Sequence, residues 1–347
     1  MTDRERKLAA ARFEHPDRIP AAMFFTGDCW EIRDNAELDE VMAAHPGLWP
    51  DHTAHPPDWR PTHAPWRRAG VRHTDSWGCV WETMADGCTG AVVHHPLSDW
   101  SDFEAYRPPD PKTQMGWTRI DWEAEAERAG RARSRGALVG GGLRHGFLFL
   151  TLTYIRGFEN LLFDMIDGHP RLSELITVVE NFNAAHVQRW LDIGVEWLTY
   201  PEDLGMQVGP MLSPNQFRTW IAPVYKRLMA PARDRGALVY MHSDGDVRTL
   251  ADDLIDCGVQ VLNIQDLVNG IDWMRDHLKG RVALDVDIDR QNLTVHGSPS
   301  EVDEHVHRIV SELADPAGGL MLKASVGPAV PLHNMHALAT ALEHYCR

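Results

Sequence analysis

The chain has 347 residues, of which 44% are hydrophobic and 24% charged, and its 34 Lys+Arg against 50 Asp+Glu give a net charge of −16 at pH 7. This acidic balance argues against a nucleic-acid or anionic-membrane surface, because phosphate binding requires a dense set of Lys and Arg side chains. Five cysteines, an odd number in a long chain, argue against a disulfide framework and favour free thiols in a reducing compartment.

The beginning of the sequence carries no sign of export. The segment MTDRERKLAAARFEH is charged from its third residue and lacks the apolar core of a secretory signal. The longest apolar stretch, which ends before Arg156, is too short to cross a bilayer. We therefore expect a cytoplasmic protein that acts on a small molecule, and the sequence leaves monomer and homodimer open.

The first predicted strand is RIPAAMFF, residues 18–25, and a long irregular segment follows it over residues 45–122. This segment is rich in Pro and His, and nine of the 13 Trp residues lie within the first 122 positions. Proline removes a backbone donor and fixes φ, so the segment cannot be a regular helix or a central strand. Its aromatic content predicts that it is packed down and not disordered.

Beyond residue 135, short apolar runs alternate with amphipathic helices. Two helical segments between 157 and 194 are separated at Gly168 and Pro170, and a further helix begins after Ser213, which we expect to be its N-cap. The strands predicted between the helices span residues 136–143, 195–200, 237–242, 259–264, 281–286 and 318–324.

This alternation implies parallel strands joined by right-handed crossovers. The number of strands approaches eight, which favours the α/β class and a single (β/α)8 TIM barrel over residues 1–347, with 45–122 as an irregular insertion packed on it. No Gly-x-Gly-x-x-Gly motif opens a helix after any strand, so the sequence predicts no NAD site. We also expect no pyridoxal phosphate (PLP) cofactor.

Polar residues collect where the predicted strands pass into their following loops, which is where (β/α)8 barrels place catalytic groups. Carboxylates crowded there require a cation or raised pKa values. The residues at these strand ends are His145, Glu202, Asp203, Gln207, His242, Asp244, Gln265, Asp287 and Asp289, and Trp30 follows the first strand.

Side chains two residues apart at the end of a strand point to the same face, so His242 and Asp244 can reach the same ion. We therefore predict that they are ligands of a divalent metal, zinc being one candidate. The predicted catalytic residues are Glu202, Asp203, His242 and Asp287. The predicted substrate-binding residues are Gln207, Trp30, His145, Asp289 and Gln265. The alternative is structural: aspartates at strand ends also cap helices, and Trp30 also suits aromatic packing.

Several stretches, in this order along nearly the whole chain, carry a family resemblance: RERKLAAARFEHPDRIP, DSWGCVWE (75–82), PLSDWSDFEAYRPPDP (96–111), PEDLGMQVGPMLSPNQFRTWIAPVYKRL (201–228), HSDGD (242–246) and GGLMLKASVGPAVPLHNMHAL (318–338). On these motifs the chain resembles the uroporphyrinogen decarboxylase superfamily. The resemblance implies a (β/α)8 barrel.

The superfamily has two main chemistries. Its decarboxylases carry an Arg-Gln-Ala-Gly-Arg segment just after the first strand, where this chain has TGDCWE without arginine. The Trp-Gly, Glu-Asp-x-Gly-x-Gln and His-Ser-x-Gly motifs resemble the corrinoid-dependent methyltransferases instead. That branch binds zinc through His-x-Cys and a distant Cys, whereas here Asp244 replaces the first Cys and Val326 lies near the second position.

The resemblance thus implies a methyltransferase or demethylase that uses a methylcobamide supplied by a partner corrinoid protein. His242, Asp244, Glu202 and Asp203 would bind a divalent ion or act as acid and base, on a small substrate with an oxygen- or nitrogen-bound methyl group. One alternative is a decarboxylase with Asp203 or Asp287 as proton donor. Another is a non-catalytic barrel that partners a corrinoid protein.

Overall fold

Parallel strands and helices alternate along the chain in the computed structural model, which describes residues 1–56 and 58–346. Pro57 and Arg347, which belong to the predicted insertion and domain, lie outside the described residues. The described part divides into two compact units. The first unit comprises Met1–Val71, Glu82–Gly90 and the chain from Gln265 onward, and the second comprises Arg72–Trp81 and Ala91–Ile264.

Four parallel strands form the sheet of the second unit. They are β2 (Gly140–Gly142), β3 (Trp197–Pro201), β4 (Leu238–Ser243) and residues 261–264 of β5 (Val261–Gln265), and they pair in chain order. In β4 every residue except His242 is buried, as expected for a strand covered on both faces. Strand β2 is shorter than predicted for residues 136–143, since its three residues are all glycine and a side-chain-free strand is weak.

Helices connect these strands. The longest, Pro170–Ile193, buries the apolar stripe that its 3.6-residue spacing predicts, begins with Pro at its first turn and ends at Gly194 in the left-handed conformation. The helices of the second unit are Trp122–Ser134, Phe149–Arg156, Phe158–Asp167, Pro170–Ile193, Pro214–Gln216, Ala222–Asp234 and Ala251–Cys257, with a π-helical turn at Phe217–Ile221.

The predicted cap at Ser213 is present. Its side chain accepts the Gln216 N–H while the Gln216 side chain accepts the Ser213 N–H, which is the reciprocal pattern of a capping box. The helix then widens into the π-helical turn before it continues at Ala222. Pro223 has no N–H for an α-helical hydrogen bond, which accounts for the irregular turn just before it.

Three parallel strands form the sheet of the first unit: β1 (Ala21–Phe25), β6 (Ala283–Ile288) and β7 (Leu320–Val326). Strand β7 lies between the other two. The helices of this unit are Asp3–Arg12, Gly27–Ile32, Asn35–Ala44, Asp266–Asn269, Ile271–His277, Leu293–His296, Pro299–Leu313 and Leu332–Tyr345. The prediction of a single domain over 1–347 stays a prediction.

The segment over residues 45–122 is mostly irregular, as predicted, and aromatic rings pack it down within each unit. In the first unit Trp49 stacks on Phe25 at 5.9 Å between centroids. In the second unit Trp77 and Trp81 are each only 2% exposed. Its regular elements are the 3-10 turns Pro65–Arg67 and Trp100–Asp102 and the strands His73–Thr74, Val80–Glu82 and Ala91–His94.

All five cysteines are free, as the odd number suggested. Among the described helices, none is long and apolar enough to cross a membrane.

Candidate active site

The carboxyl ends of three adjacent strands of the second unit bring two histidines and an aspartate together. His145 follows β2, Asp203 follows β3 and His242 lies near the end of β4. Asp203 Oδ1 lies 3.4 Å from His145 Nε2 and 3.6 Å from His242 Nε2. One ligand atom from each residue lies within 4.8 Å of the other two, and we call this group the His-Asp cluster.

A hydrogen bond fixes the orientation of His242. Its Nδ1 lies 2.6 Å from Asn263 Oδ1, on the neighbouring strand β5, where Asn263 is paired with His242 in the register. An amide oxygen only accepts, so Nδ1 carries a proton, and Nε2, which is directed to the cluster, carries the lone pair when His242 is neutral. This is how proteins commonly orient a metal-binding imidazole.

Asp203 is held by its surroundings as a carboxylate. Burial raises its pKa, but the contact with His145, the charges of His145 and His242 and the N–H of Asp244 together outweigh burial and leave the pKa below its ordinary value. For His145, burial lowers the pKa, yet the carboxylates of Asp203, Glu202 and Asp244 raise it above the ordinary value overall. The two side chains therefore favour an ion pair in the metal-free protein.

Asp244, a predicted metal ligand, lies beside the cluster. Its Oδ1 is 3.6 Å from His242 Nε2, and its backbone N–H donates to Asp203 Oδ1 at 3.0 Å. With Asp244 included, the cluster offers two imidazole nitrogens and two carboxylates.

Close packing of two loops places these carboxylates. A Cβ built on Gly245, whose φ is +79°, would lie 2.2 Å from the carbonyl carbon of Gly205. Only glycine permits this approach, and the backbones are then tied by Gly205 N–H to Asp244 O at 3.2 Å and Asp246 N–H to Met206 O at 2.7 Å. This close approach of the two backbones explains why the motif after β3 has glycine at position 205 and the motif after β4 has glycine at position 245.

Glu202, a predicted catalytic residue, is completely buried. Its carboxyl group accepts hydrogen bonds from the backbone N–H groups of Leu148, Phe149 and Leu150 at 2.7–3.1 Å and from the Tyr225 hydroxyl at 3.2 Å. Burial raises its pKa to about 7 although the three amides oppose this shift. Glu202 thus anchors the start of the helix that follows His145, and a direct role in chemistry stays a prediction.

Gln207 lies at the exposed tip of the hairpin formed by Gly205–Met206 and Gly209–Pro210. The backbone hydrogen bonds of Gly205 and Met206 described above join this hairpin to the loop after β4. The remaining predicted site residues belong to the first unit. Asp287 is buried and lies 3.5 Å from Arg290 Nη1. The roles predicted for Gln207 and Asp287 stay predictions.

Three residues of the first unit show structural contacts. Asp289 Oδ2 accepts the N–H groups of Asn292 and Leu293, so it fixes the backbone at the start of the helix Leu293–His296. Trp30 packs edge-on against Phe25 and Trp59. The backbone oxygen of Gln265 accepts from the Asn269 side chain at 2.9 Å. Substrate binding by Asp289, Trp30 and Gln265 stays a prediction beside these contacts.

The sequence interpretation missed Asn263. The available signal was a polar residue inside the apolar run VQVLNI, which a buried strand tolerates only when the side chain has a partner. It also treated His145 as a substrate-binding residue, whereas the geometry places it among the possible metal ligands.

The donor set differs from a thiolate zinc site. The cluster holds no cysteine, and burial raises the pKa of Cys29 and Cys257 to about 12, so these thiols are not poised as thiolates. Two imidazoles with one or two carboxylates suit zinc or another borderline divalent ion. The residues present therefore fit a divalent metal.

Comparisons with known proteins identify relatives of the chain. The family model described as uroporphyrinogen decarboxylase (URO-D) matches residues 78–345. No curated protein sequence matches the chain.

Among solved structures, a methyltransferase from Methanosarcina mazei is similar over 99% of both chains, with a TM-score of 0.68 and 16% identity. A B12-independent methionine synthase from Shewanella sp. W3-18-1 matches 63% of this chain and 66% of its own, at a TM-score of 0.41 and 12% identity, which is too weak to show a shared fold. The likeness to the first structure confirms the predicted fold class, an α/β protein of the (β/α)8-barrel type.

Proposed function

The chain belongs to the uroporphyrinogen decarboxylase (URO-D) family, and we propose that it is a methyltransferase that works with a divalent metal at the His-Asp cluster. The reaction we propose moves a methyl group between an oxygen or nitrogen atom of a small substrate and a cobamide carried by a partner corrinoid protein. The fold shared with a methyltransferase structure and the motifs around Asp203 and His242 support this choice within the family.

The observation that carries the proposal is the convergence of His145 Nε2, His242 Nε2 and Asp203 Oδ1 at the ends of β2, β3 and β4. The Asn263 oxygen directs His242 Nε2 toward Asp203, and the Asp244 N–H fixes Asp203 Oδ1. These are ligands held in place before an ion arrives, which lowers the entropy lost on binding.

His145, Asp203 and His242 would hold the ion, with Asp244 as a fourth ligand. A bound zinc-like ion supplies Lewis acidity, which stabilises negative charge on the substrate oxygen or nitrogen when it loses its methyl group. The absence of thiolates makes the site harder than one built for sulfur substrates, so oxygen and nitrogen are the atoms that it favours.

Residues of this chain offset the charge of the ion and position its ligands during the proposed methyl transfer. Asp203 and Asp244 offset the charge of the ion, while Glu202 fixes the beginning of the helix Phe149–Arg156 and with it the loop that carries His145. In the demethylation direction the methyl group leaves the substrate heteroatom for cob(I)alamin as a cation equivalent, and the heteroatom takes a proton from solvent, so charge and atoms balance.

The test is methyl transfer from a panel of methyl ethers and methylamines to cob(I)alamin, followed by the absorbance of methylcobalamin. We expect turnover by the zinc-loaded protein and a loss of about 100-fold or more in Asp203→Asn and His242→Ala. His94→Ala, which changes an exposed histidine of the same unit, is the matched control and keeps full activity.

The other outcomes identify the alternatives. Carbon dioxide release without methyl transfer would overturn the proposal in favour of a decarboxylase. Turnover that depends on Asp203 and His242 but not on metal would indicate that these residues act as a general acid and base. Equal properties of the wild type and both cluster variants in every assay would indicate a non-catalytic barrel.

A further inference from the structure

Arg144, the residue just before His145, is a buried cation whose hydrogen-bond donors are unused. Its side chain is 5% exposed, and neither Nε nor either Nη atom has a hydrogen-bond partner among the described residues. Burial lowers its pKa to about 10, so the guanidinium is still charged at neutral pH. Burying a charged group without hydrogen bonds is unfavourable unless a ligand satisfies its donors.

The other buried arginine near an indole in this unit shows the contrast. Arg156 lies 4.5 Å from the Trp100 ring centroid, and its Nε donates to Asp164 Oδ2 at 2.7 Å while Nη1 donates to Leu97 O at 2.8 Å. The guanidinium of Arg156 thus has acceptors within the protein, whereas that of Arg144 has none among the described residues.

Asp75 offsets the charge of Arg144 but does not use its donors. Asp75 Oδ2 is 3.5 Å from Arg144 Nη2. The oxygens of Asp75 already accept three N–H groups, from the Trp77 and Cys79 backbones and from Trp81 Nε1, all at 2.9 Å. The planar donor fork of Arg144 is left for another acceptor.

Aromatic rings enclose the guanidinium. Its central carbon lies 4.6 Å from the ring centroid of Trp117, 5.6 Å from that of Tyr154 and 5.9 Å from that of Trp81. Ring faces stabilise the cation, but they do not replace oxygen acceptors. Trp117 and Tyr154 are only half-buried, so the rings that cover Arg144 themselves reach the surface.

A second unused donor approaches the same place. The indole Nε1 of Trp77 is buried and has no hydrogen-bond partner within residues 1–56 and 58–346. The backbone of Gly116 packs against both groups: a Cβ built on it would lie 2.6 Å from Arg144 Cδ, 3.0 Å from Arg144 Nη1 and 3.2 Å from Trp77 Nε1. The two unused donors therefore lie close together beside Gly116, where a side chain on residue 116 would not fit.

We propose that Arg144, Trp77 and the rings of Trp81, Trp117 and Tyr154 form a binding site for a planar monoanion, a carboxylate in chemical class. A carboxylate matches the two parallel N–H groups of a guanidinium, whereas a neutral amide does not. Tyr154, which faces the Arg144 guanidinium, also interacts electrostatically with Asp203. We therefore expect the substrate of the proposed methyl transfer to carry a carboxylate that Arg144 binds while its methyl-bearing atom lies at the His-Asp cluster. That last step rests on the proposed function, but anion binding itself does not.

The test is isothermal titration calorimetry of the metal-free protein with benzoate and with benzamide, its neutral analogue of the same shape, at constant ionic strength. We expect benzoate to bind at least 10-fold more tightly than benzamide. Arg144→Lys keeps the charge but loses the planar fork, and should weaken benzoate binding at least 10-fold. Arg128→Lys, at an exposed arginine over Trp190, should change nothing.

His242→Ala separates this proposal from the proposed function. Benzoate binding that survives in His242→Ala, in a protein without methyl-transfer activity, supports the anion site alone. If Arg144→Lys does not fold, the comparison of benzoate with benzamide on the wild type still decides. Absent benzoate binding, equal affinity for benzamide, or a folded Arg144→Lys with wild-type affinity each overturns the proposal.

Discussion

His242 Nδ1 lies 2.6 Å from Asn263 Oδ1, and this contact between neighbouring strands determines which nitrogen of His242 faces Asp203. Asn263 is not itself a proposed metal ligand, but it selects the tautomer of His242 in which Nε2 carries the lone pair that binds a metal. A partner of this kind typically contributes 10- to 100-fold to the affinity for a metal.

We therefore expect Asn263→Ala to weaken zinc binding by about 10- to 100-fold with all proposed ligands intact. Competition with a chromophoric chelator measures the affinity. Asn160→Ala, at a less buried asparagine of the same unit, serves as the control and should bind zinc as the wild type does. An unchanged affinity in Asn263→Ala would show that the orientation of His242 does not depend on this contact.

Gly245 provides a prediction about the loops that carry Asp203 and Asp244. Gly245→Ala places a methyl group 2.2 Å from a backbone carbon of Gly205 at a φ of +79°, so the loops must separate. We expect a loss of about 2–4 kcal/mol in the free energy of unfolding, with weaker zinc binding because both carboxylates move.

Gly130→Ala is the matched control for Gly245→Ala. Gly130 lies inside the helix Trp122–Ser134, and nothing lies within 4 Å of the position of its added methyl group. Alanine is favoured over glycine in a helix by up to about 1 kcal/mol, so this variant should be slightly stabilised. Urea denaturation measures both variants, and equal stability of the two would contradict the close approach of the loops.

Glu202 makes the folded protein sensitive to pH. Its pKa is about 7 in the folded protein against an ordinary value of 4.5. Between these values the folded state keeps a proton that the unfolded chain has released, so the free energy of unfolding falls as pH rises from 4.5 to about 7. The 7 − 4.5 = 2.5 pH interval corresponds to at most about 3 kcal/mol.

Glu202→Gln should remove this dependence, since glutamine does not titrate and its oxygen can still accept from the helix amides. The measurement is the unfolding free energy of the metal-free protein at several pH values between 4 and 8. Parallel curves for the wild type and Glu202→Gln would rule out Glu202 as the titrating group.

Much of the fold follows from local sequence patterns. Apolar periodicity and the glycines and prolines between elements predict the ends of β3, β4 and β5 to within one or two residues, and the Ser213 cap is a local signal that the structure confirms. These features depend on residues near each other in the chain, so one sequence is enough to detect them.

The details of the site depend on distant residues. Neighbouring carboxylates at 202 and 203 look alike in sequence, but consecutive side chains at a strand end point in opposite directions. Glu202 therefore faces the buried amides of Leu148–Leu150, and Asp203 faces His145 and His242. The contact of Asn263 with His242 depends on the register of β4 and β5, which no local pattern reveals.

The most direct test of the central claim is the zinc content of the protein after loading and exhaustive dialysis, measured by mass spectrometry. The His-Asp cluster predicts about one equivalent per chain in the wild type and almost none in the double variant His145→Ala/His242→Ala. Zinc well below one equivalent in the wild type, or equal zinc in the folded double variant, would contradict a metal site at His145, Asp203 and His242.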